Sequence, residues 1–305
     1  MACGVDNNLA RLALKAGTGN AVDFATGATG LRFTTESVKS TGAIVASESI
    51  TGSRDLDAAE TRRGPYSVGG SVNFDASVRD ILVWGEYALG ANSSGVLTPA
   101  NTLPVFALMA DKVSNISRFG DCKVNRLTIS NDGAGFVRGV VEIVGRSHTG
   151  SGLSFPTLTL GSDETYEPLV FSDLVIELDE TEYAINSYQL VIDNQLQTNQ
   201  RNALYADCLR EGQRIITLNV NLPSTSSTHT AFDEPDLSGV SAEMVFTHPD
   251  AAVGVTIELP ALQKPRDGQT VQNRNEQRWD LSFRAVTDRA NSVTTPLTIT
   301  CDTTE

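Results

Sequence analysis

Along most of this chain, apolar and polar residues take turns one to one in short runs. Val68, Val72 and Phe74 fall on one face of a stretch whose other face carries Ser67, Ser71 and Asn73. Leu127 and Ile129 alternate with Arg126, Thr128 and Ser130; Val137, Val141 and Ile143 face away from Arg138 and Glu142. The pattern returns at Leu174-Ile176-Leu178, Tyr188-Leu190-Ile192, Ile216-Leu218-Val220-Leu222, Val253-Val255-Ile257-Leu259 and Trp279-Leu281-Phe283. A period of two is that of a half-buried strand, whose successive side chains point to opposite faces. Repeated this often, with Asn131-Asp132-Gly133 as a turn between two runs, it implies a mainly antiparallel β protein.

One segment departs from that period. Val78, Ile81, Leu82 and Leu89 share a face at helical spacing, Ser77 with Asp80 makes a capping box, and Gly90 is placed to end the helix. The expected fold is therefore an antiparallel β-sandwich or partial barrel with a flanking α-helix. Trp84 and Trp279 sit on apolar faces and are expected in the core.

A second departure is a long connection. Ala43-Ile44-Val45 through Ile50 reads as extended, as does the run ending at Phe74, yet Thr51 to Pro65 intervene. Hairpins normally need two to five residues, and a long ordered loop is costly in entropy unless it has a role. This one carries Arg54, Asp55, Leu56, Asp57, Glu60, Arg62 and Arg63. A similar order, strand then long polar loop then glycine then strand, recurs in Ser187–Leu222, where the loop holds Gln195, Gln197, Asn199, Arg201, Asp207, Arg210 and Glu211 before Gly212. Each unit is followed by strand, turn and strand, so the fold is expected to be duplicated. The resulting division is an N-terminal arm at 1–37, loosely ordered and rich in Gly, Thr, Ala and Asn; a first β domain at 38–145; a Gly/Ser/Thr-rich linker at 146–165; a second β domain at 166–288; and a C-terminal segment at 289–305.

Composition and motifs narrow the function. The chain has 305 residues and a formal charge of −14, which argues against a sequence reader that holds nucleic-acid phosphates. No window approaches a membrane span, and the start, MACGVDNNLARLALK, lacks the basic region and long apolar core of a secretion signal, so cytosolic synthesis is expected. Cys3, Cys122, Cys208 and Cys301 make no CxxC, and His148, His229 and His248 are scattered, so no metal or cofactor is expected. The acidic group Asp173, Glu177, Asp179, Glu180 and Glu182 lacks calcium-loop spacing and reads as a solvated face. No phosphate-binding loop, HExxH or GxSxG is present, which points away from an enzyme.

Three stretches in order carry a family resemblance: ASESITGSRDLDAAETRRGPYSVGGSVNFDASVRDILVWGEYALG, RFGDCKVNRLTISNDGAGFVRGVVEIVG and SYQLVIDNQLQTNQRNALYADCLREGQRIITLNVNLP. Together they resemble the tail tube proteins, or major tail proteins, of long-tailed bacteriophages, from about Val38 to Asp288. The resemblance implies two packed antiparallel sheets with a flanking helix, joined edge to edge between subunits into rings that stack as a hollow tube. It implies a structural virion protein, assembled in the host cytoplasm, with other tail proteins at the tube ends. The lumen would hold the tape measure protein and pass double-stranded genomic DNA without specific binding. Closing open sheet edges between subunits agrees with the physics of β edges. A lumen lined with Asp and Glu would repel the duplex, and the charge of −14 is compatible with such a wall.

Two readings compete with the tube: a carbohydrate- or receptor-binding module of a tail tip, which calls for exposed aromatic platforms, and a β-sandwich enzyme. If the repeat is a duplication, a trimer with pseudo-sixfold symmetry is favoured over a hexamer. The loop at Thr51–Pro65 is expected to contact the adjacent ring, with Gln195–Glu211 as its counterpart; mixed charges suit a head-to-tail contact.

Overall fold

In the computed structural model the alternating runs pair into antiparallel sheets that, among the described residues, do not close into a barrel. The structure describes residues 9–19, 22–48, 55, 58–150, 152–158, 160, 164–224, 232, 236–248, 253–265 and 278–303. In chain order the strands are β1 (Arg11–Ala16), β2 (Thr29–Leu31), β3 (Thr35–Glu36), β4 (Lys39–Ala46) and β5 (Thr61–Asp75). After the helix α1 (Val78–Leu89) come β6 (Gly90–Ser93), β7 (Val96–Pro99), β8 (Phe106–Asp111), β9 (Ile116–Asn131), β10 (Arg138–Gly145) and β11 (Ser147–Thr149). The rest are β12 (Leu174–Leu178), β13 (Thr181–Glu182), β14 (Ser187–Asp193), β15 (Gln197–Asn199), β16 (Cys208–Arg210), β17 (Ile215–Pro223), β18 (Asp236–Thr247), β19 (Gly254–Lys264), β20 (Arg278–Ala285) and β21 (Thr298–Asp302).

A broad sheet runs β4-β5-β10-β9-β14-β17-β20-β19, with β3 continuing the line of β4 along β5. Its apolar face is buried: Val72 and Phe74, Leu127 and Ile129, Leu190 and Ile192, Leu218 and Val220, Leu281 and Phe283 all join one core cluster. Each such side chain contributes about 1.5–3 kcal/mol on burial, which fixes the register because a one-residue slip would turn them all to water. Two strands belong to more than the broad sheet. The first part of β9 pairs with β8 and β11 and the second with β10 and β14. The first part of β19 pairs with β18 and β21, while Leu262 and Gln263 reach β20. Beyond β8 lie β1 and β2, and beyond β18 lies β12 with β13.

α1 is the α-helix described along its whole length. The capping box forms as expected: the Ser77 hydroxyl accepts from the Asp80 backbone N–H at 3.1 Å, and the Asp80 carboxylate accepts from the Ser77 N–H at 3.3 Å. Gly90 ends the helix at φ 103°, where a Cβ would lie 2.7 Å from the Thr102 carbonyl oxygen. Trp84 is fully buried between Phe74 and Phe106, with ring centroids at 6.4 and 6.2 Å. Trp279 is buried too.

Two local expectations differ from the structure. The stretch read as a loosely ordered arm contains β1, β2 and β3, and Leu12, Ala13 and Leu14 are buried. Their partner is β8, FALMAD, buried at every position; pairing with a distant apolar strand outweighs the weak local signal of a Gly- and Thr-rich segment. The long connection is also shorter than expected. β5 begins at Thr61, so Arg62, Arg63 and Pro65 stand in a strand and not in the loop, with Arg62 opposite Val45 and Arg63 opposite Ile44. The register shifts between Gly42 and Ile44, and a bulge there gives Pro65 a place where no ladder donor is needed.

Candidate assembly surfaces

β4 and the first part of β5 extend past the end of β10 as a two-stranded arm. β10 pairs with β5 from Val68 to Asp75, whereas β4 pairs with it from Thr61 to Gly69. Side chains along β4 are almost all exposed; Ile44 is 77% and Val45 54% accessible. Arg62, Arg63 and Asp55 are exposed and Glu60 is half-buried, while Arg54, Leu56 and Asp57 lie outside the described residues. A bare ribbon of this kind is marginal alone.

The second loop is itself a hairpin. Gln197 pairs with Arg210 and Asn199 with Cys208 in a separate two-stranded sheet. Arg201 and Asp207 form an exposed ion pair at 3.9 Å. The hairpin tip touches the arm: the N–H of Tyr66, in β5 opposite Gly42, donates to the Leu204 carbonyl at 2.8 Å, and the Tyr66 and Tyr205 rings lie 6.1 Å apart. Leu204 and Tyr205 are 50% and 43% exposed, so the hairpin tip presents apolar as well as charged groups. Alternating antiparallel pairing from β4 to β14 makes those two strands run in the same direction, so both loops leave one end of the broad sheet.

The base of the second hairpin is held by residues that sequence reading did not single out. Buried Asn194 donates to the carbonyls of Ala88 and Val124 at 3.0 and 3.1 Å and accepts from Arg214 Nε at 2.9 Å. Arg214 also donates to the carbonyls of Leu89 at 3.2 Å and Ala100 at 2.8 Å, at the helix C-terminus where a cation is favoured. Glu211 turns inward: it pairs with Lys123 and accepts from the Leu103 N–H at 3.3 Å. Burial alone would raise its carboxyl, but the Lys123 bond and the backbone donors outweigh this and hold it below the ordinary carboxylate value. Gln195 adopts φ 47°, and Gly212 lets the chain pass, since a Cβ there would meet the Gln195 carbonyl oxygen at 2.5 Å. Only the glycine spacing could have hinted at this closure.

The profile of the phage tail tube protein family matches residues 7–299. The chain belongs to that family. No curated protein matches the sequence significantly. A tail tube protein is a structural component of the virion that self-assembles into a tube with other tail proteins, and its family is not a known enzyme family. No described helix of this tail tube protein is long and apolar enough to cross a membrane.

Charge is unevenly distributed over the tail tube protein. On the solvated face of the broad sheet the strands carry Lys39, Lys123, Arg126, Arg138, Arg278 and Arg284 against Asp75, Glu142, Asp193 and Asp280, so the acid excess does not lie there. Arg126 is held between Asp193 at 2.7 Å and Glu142 at 3.4 Å, and the hydrogen bond to Asp193 strengthens its hold on its proton. Between the charges run hydroxyls and amides in cross-strand rows, such as Thr35-Asn73 and Ser130-Gln189-Asn219-Ser282. Carboxylates gather instead on β13, β12, β18 and β19, where Glu182, Glu177, Glu243 and Glu258 stand directly opposite one another.

Proposed function

We propose that three copies of this chain form each ring of the tube, every chain supplying two tube-like units, and that stacked rings conduct double-stranded DNA during ejection. One observation carries the reading: the same strand order occurs twice. β4-β5-β10-β9 and β14-β17-β20-β19 are each two hairpins laid side by side, first strand, second, fourth, third. The match extends outward. β8 and β11 flank the first part of β9 as β18 and β21 flank β19, and β1 lies on β8 as β12 lies on β18. On this reading the first unit, expected at 38–145, reaches back to β1 and on to β11, the second, expected at 166–288, reaches on to β21, and 150–165 links them.

Within the chain the two units join by β9 pairing with β14, from Arg126 opposite Asp193 to Asn131 opposite Tyr188. Edge pairing of the same kind between chains would curl the broad sheets into one closed wall. The buried face of that wall is occupied by the core, so the solvated face lines the lumen with the tape measure protein and then DNA. Duplex passage then rests less on repulsion by acids than on neutral hydroxyls and amides, and on a guanidinium, that of Arg126, already paired with carboxylates. Rings stack through the arm and the β15–β16 hairpin, which touch each other and leave one end of the sheet. Electron microscopy of assembled protein tests this: three chains per ring are expected, six equivalent chains would overturn the trimer, and monodisperse monomers under all assembly conditions would overturn the tube.

A further inference from the structure

The two strands that belong to more than the broad sheet, β9 and β19, differ at one sheet edge. On β9 the companion strand β8 pairs from Asp111 opposite Ile116 to Phe106 opposite Cys122 and goes no further. That leaves the same edge, from Arg126 onward, to β14. On β19 the companion strand β18 pairs equivalently from Thr247 opposite Gly254 to Ala242 opposite Leu259, but continues. Val240 stands opposite Leu262 and Asp236 opposite Lys264, with register shifts on both sides of Val240. The start of β18 thus covers the stretch of edge that the first unit leaves open for a neighbour.

The strand equivalent to β14 in the first unit is β3 with β4, and among the described residues its outer edge has no strand partner. Antiparallel pairing throughout the broad sheet sets β4 and β19 in opposite directions. They therefore have the polarity needed to pair between copies as β14 pairs with β9 within one.

We propose that Asp236–Val240 is a removable edge cover: in the free chain it occupies β19, and in the ring it yields that place to β3–β4 of a second copy. The proposal rests on the ring reading above. A covered edge keeps a free subunit from pairing with wrong strands, and a doubly shifted register makes the cover easier to displace than the regular ladder between Ala242 and Thr247.

Directly opposed antiparallel residues have a Cα separation of about 4.5–5.5 Å, within disulfide range. The test joins Val240→Cys to Leu262→Cys in a Cys3→Ser, Cys208→Ser background. Cys122 and Cys301 remain; both are buried, and burial raises both thiols, Cys301 to about 12, so neither competes as a thiolate. Oxidised protein is expected to stay unassembled by sedimentation and negative-stain microscopy, and reductant to restore rings. Rings from the oxidised, cross-linked chain at the parent's rate would overturn the cover while leaving the ring reading intact. Absence of rings from the unlinked parent would overturn both. A second variant guards against simple misfolding: Val240→Pro, which puts a residue without a backbone donor where the cover pairs with Leu262, is expected to shorten the assembly lag. A lag unchanged or lengthened in a folded Val240→Pro protein would overturn the cover.

Discussion

Glu211 shows how far a charged loop residue can be from the surface role its sequence position suggests. Its carboxyl is held below the ordinary value, so the stability it contributes is fully present above about pH 4.5 and is lost as pH falls through its folded value. Chemical denaturation followed from pH 6 downward should therefore show a steeper loss of stability through that window for the parent than for Glu211→Gln. Arg126 offers a second test. Replacing both its partners, Asp193→Asn with Glu142→Gln, frees a guanidinium on the solvated face of the broad sheet. Assembled tubes of that variant should retain duplex DNA in a salt-dependent way that the parent does not, because a free cation binds phosphate by releasing counterions. Equal retention at low salt would count against a lumenal position. At this scale the sequence was only partly readable. Arg62, Arg63 and Glu211 could be picked out as charges, but whether each points to solvent depends on distant partners such as Lys123. Asn194 and Arg214 gave no local sign at all, since their bonds reach across more than a hundred residues to the end of α1.

At the scale of elements, alternation and capping chemistry carried most of the information. The strands β9, β10, β12, β14, β17, β19 and β20 and the helix lie where period and caps put them, because each half-buried strand needs an apolar face and each helix end needs donors or acceptors, whereas β11 falls in the stretch read as a linker and β15 and β16 in one read as a loop. The arm was harder. Both faces of a projecting ribbon are wet, so Arg62, Arg63 and Pro65 looked like loop, and β1 hid in a stretch whose apolar run is only three residues long. The arm yields a prediction of its own. Ile44 and Val45 are too exposed to support the fold, so Ile44→Ser with Val45→Ser should leave stability within about 0.5 kcal/mol of the parent. If the arm makes the contact between rings, the same variant should still form single rings but stack into shorter tubes. Tubes of parental length and thermal resistance would remove the arm from the stacking contact.

For the whole molecule, the notable seam is the one between β9 and β14, which is made when a single chain folds. In the proposed trimer, half of the seams around the ring would then be formed before any two molecules meet. Association has to overcome the lost translational and rotational freedom of three bodies instead of six, and the linked units act at a fixed effective concentration. Ring formation measured by light scattering across a dilution series should accordingly show an apparent reaction order no higher than three. An order approaching six would mean that the chains enter as independent sixths. Fusing two units into one polypeptide would thus make nucleation less sensitive to subunit concentration, so that rings could begin to form while the pool of free protein is still dilute.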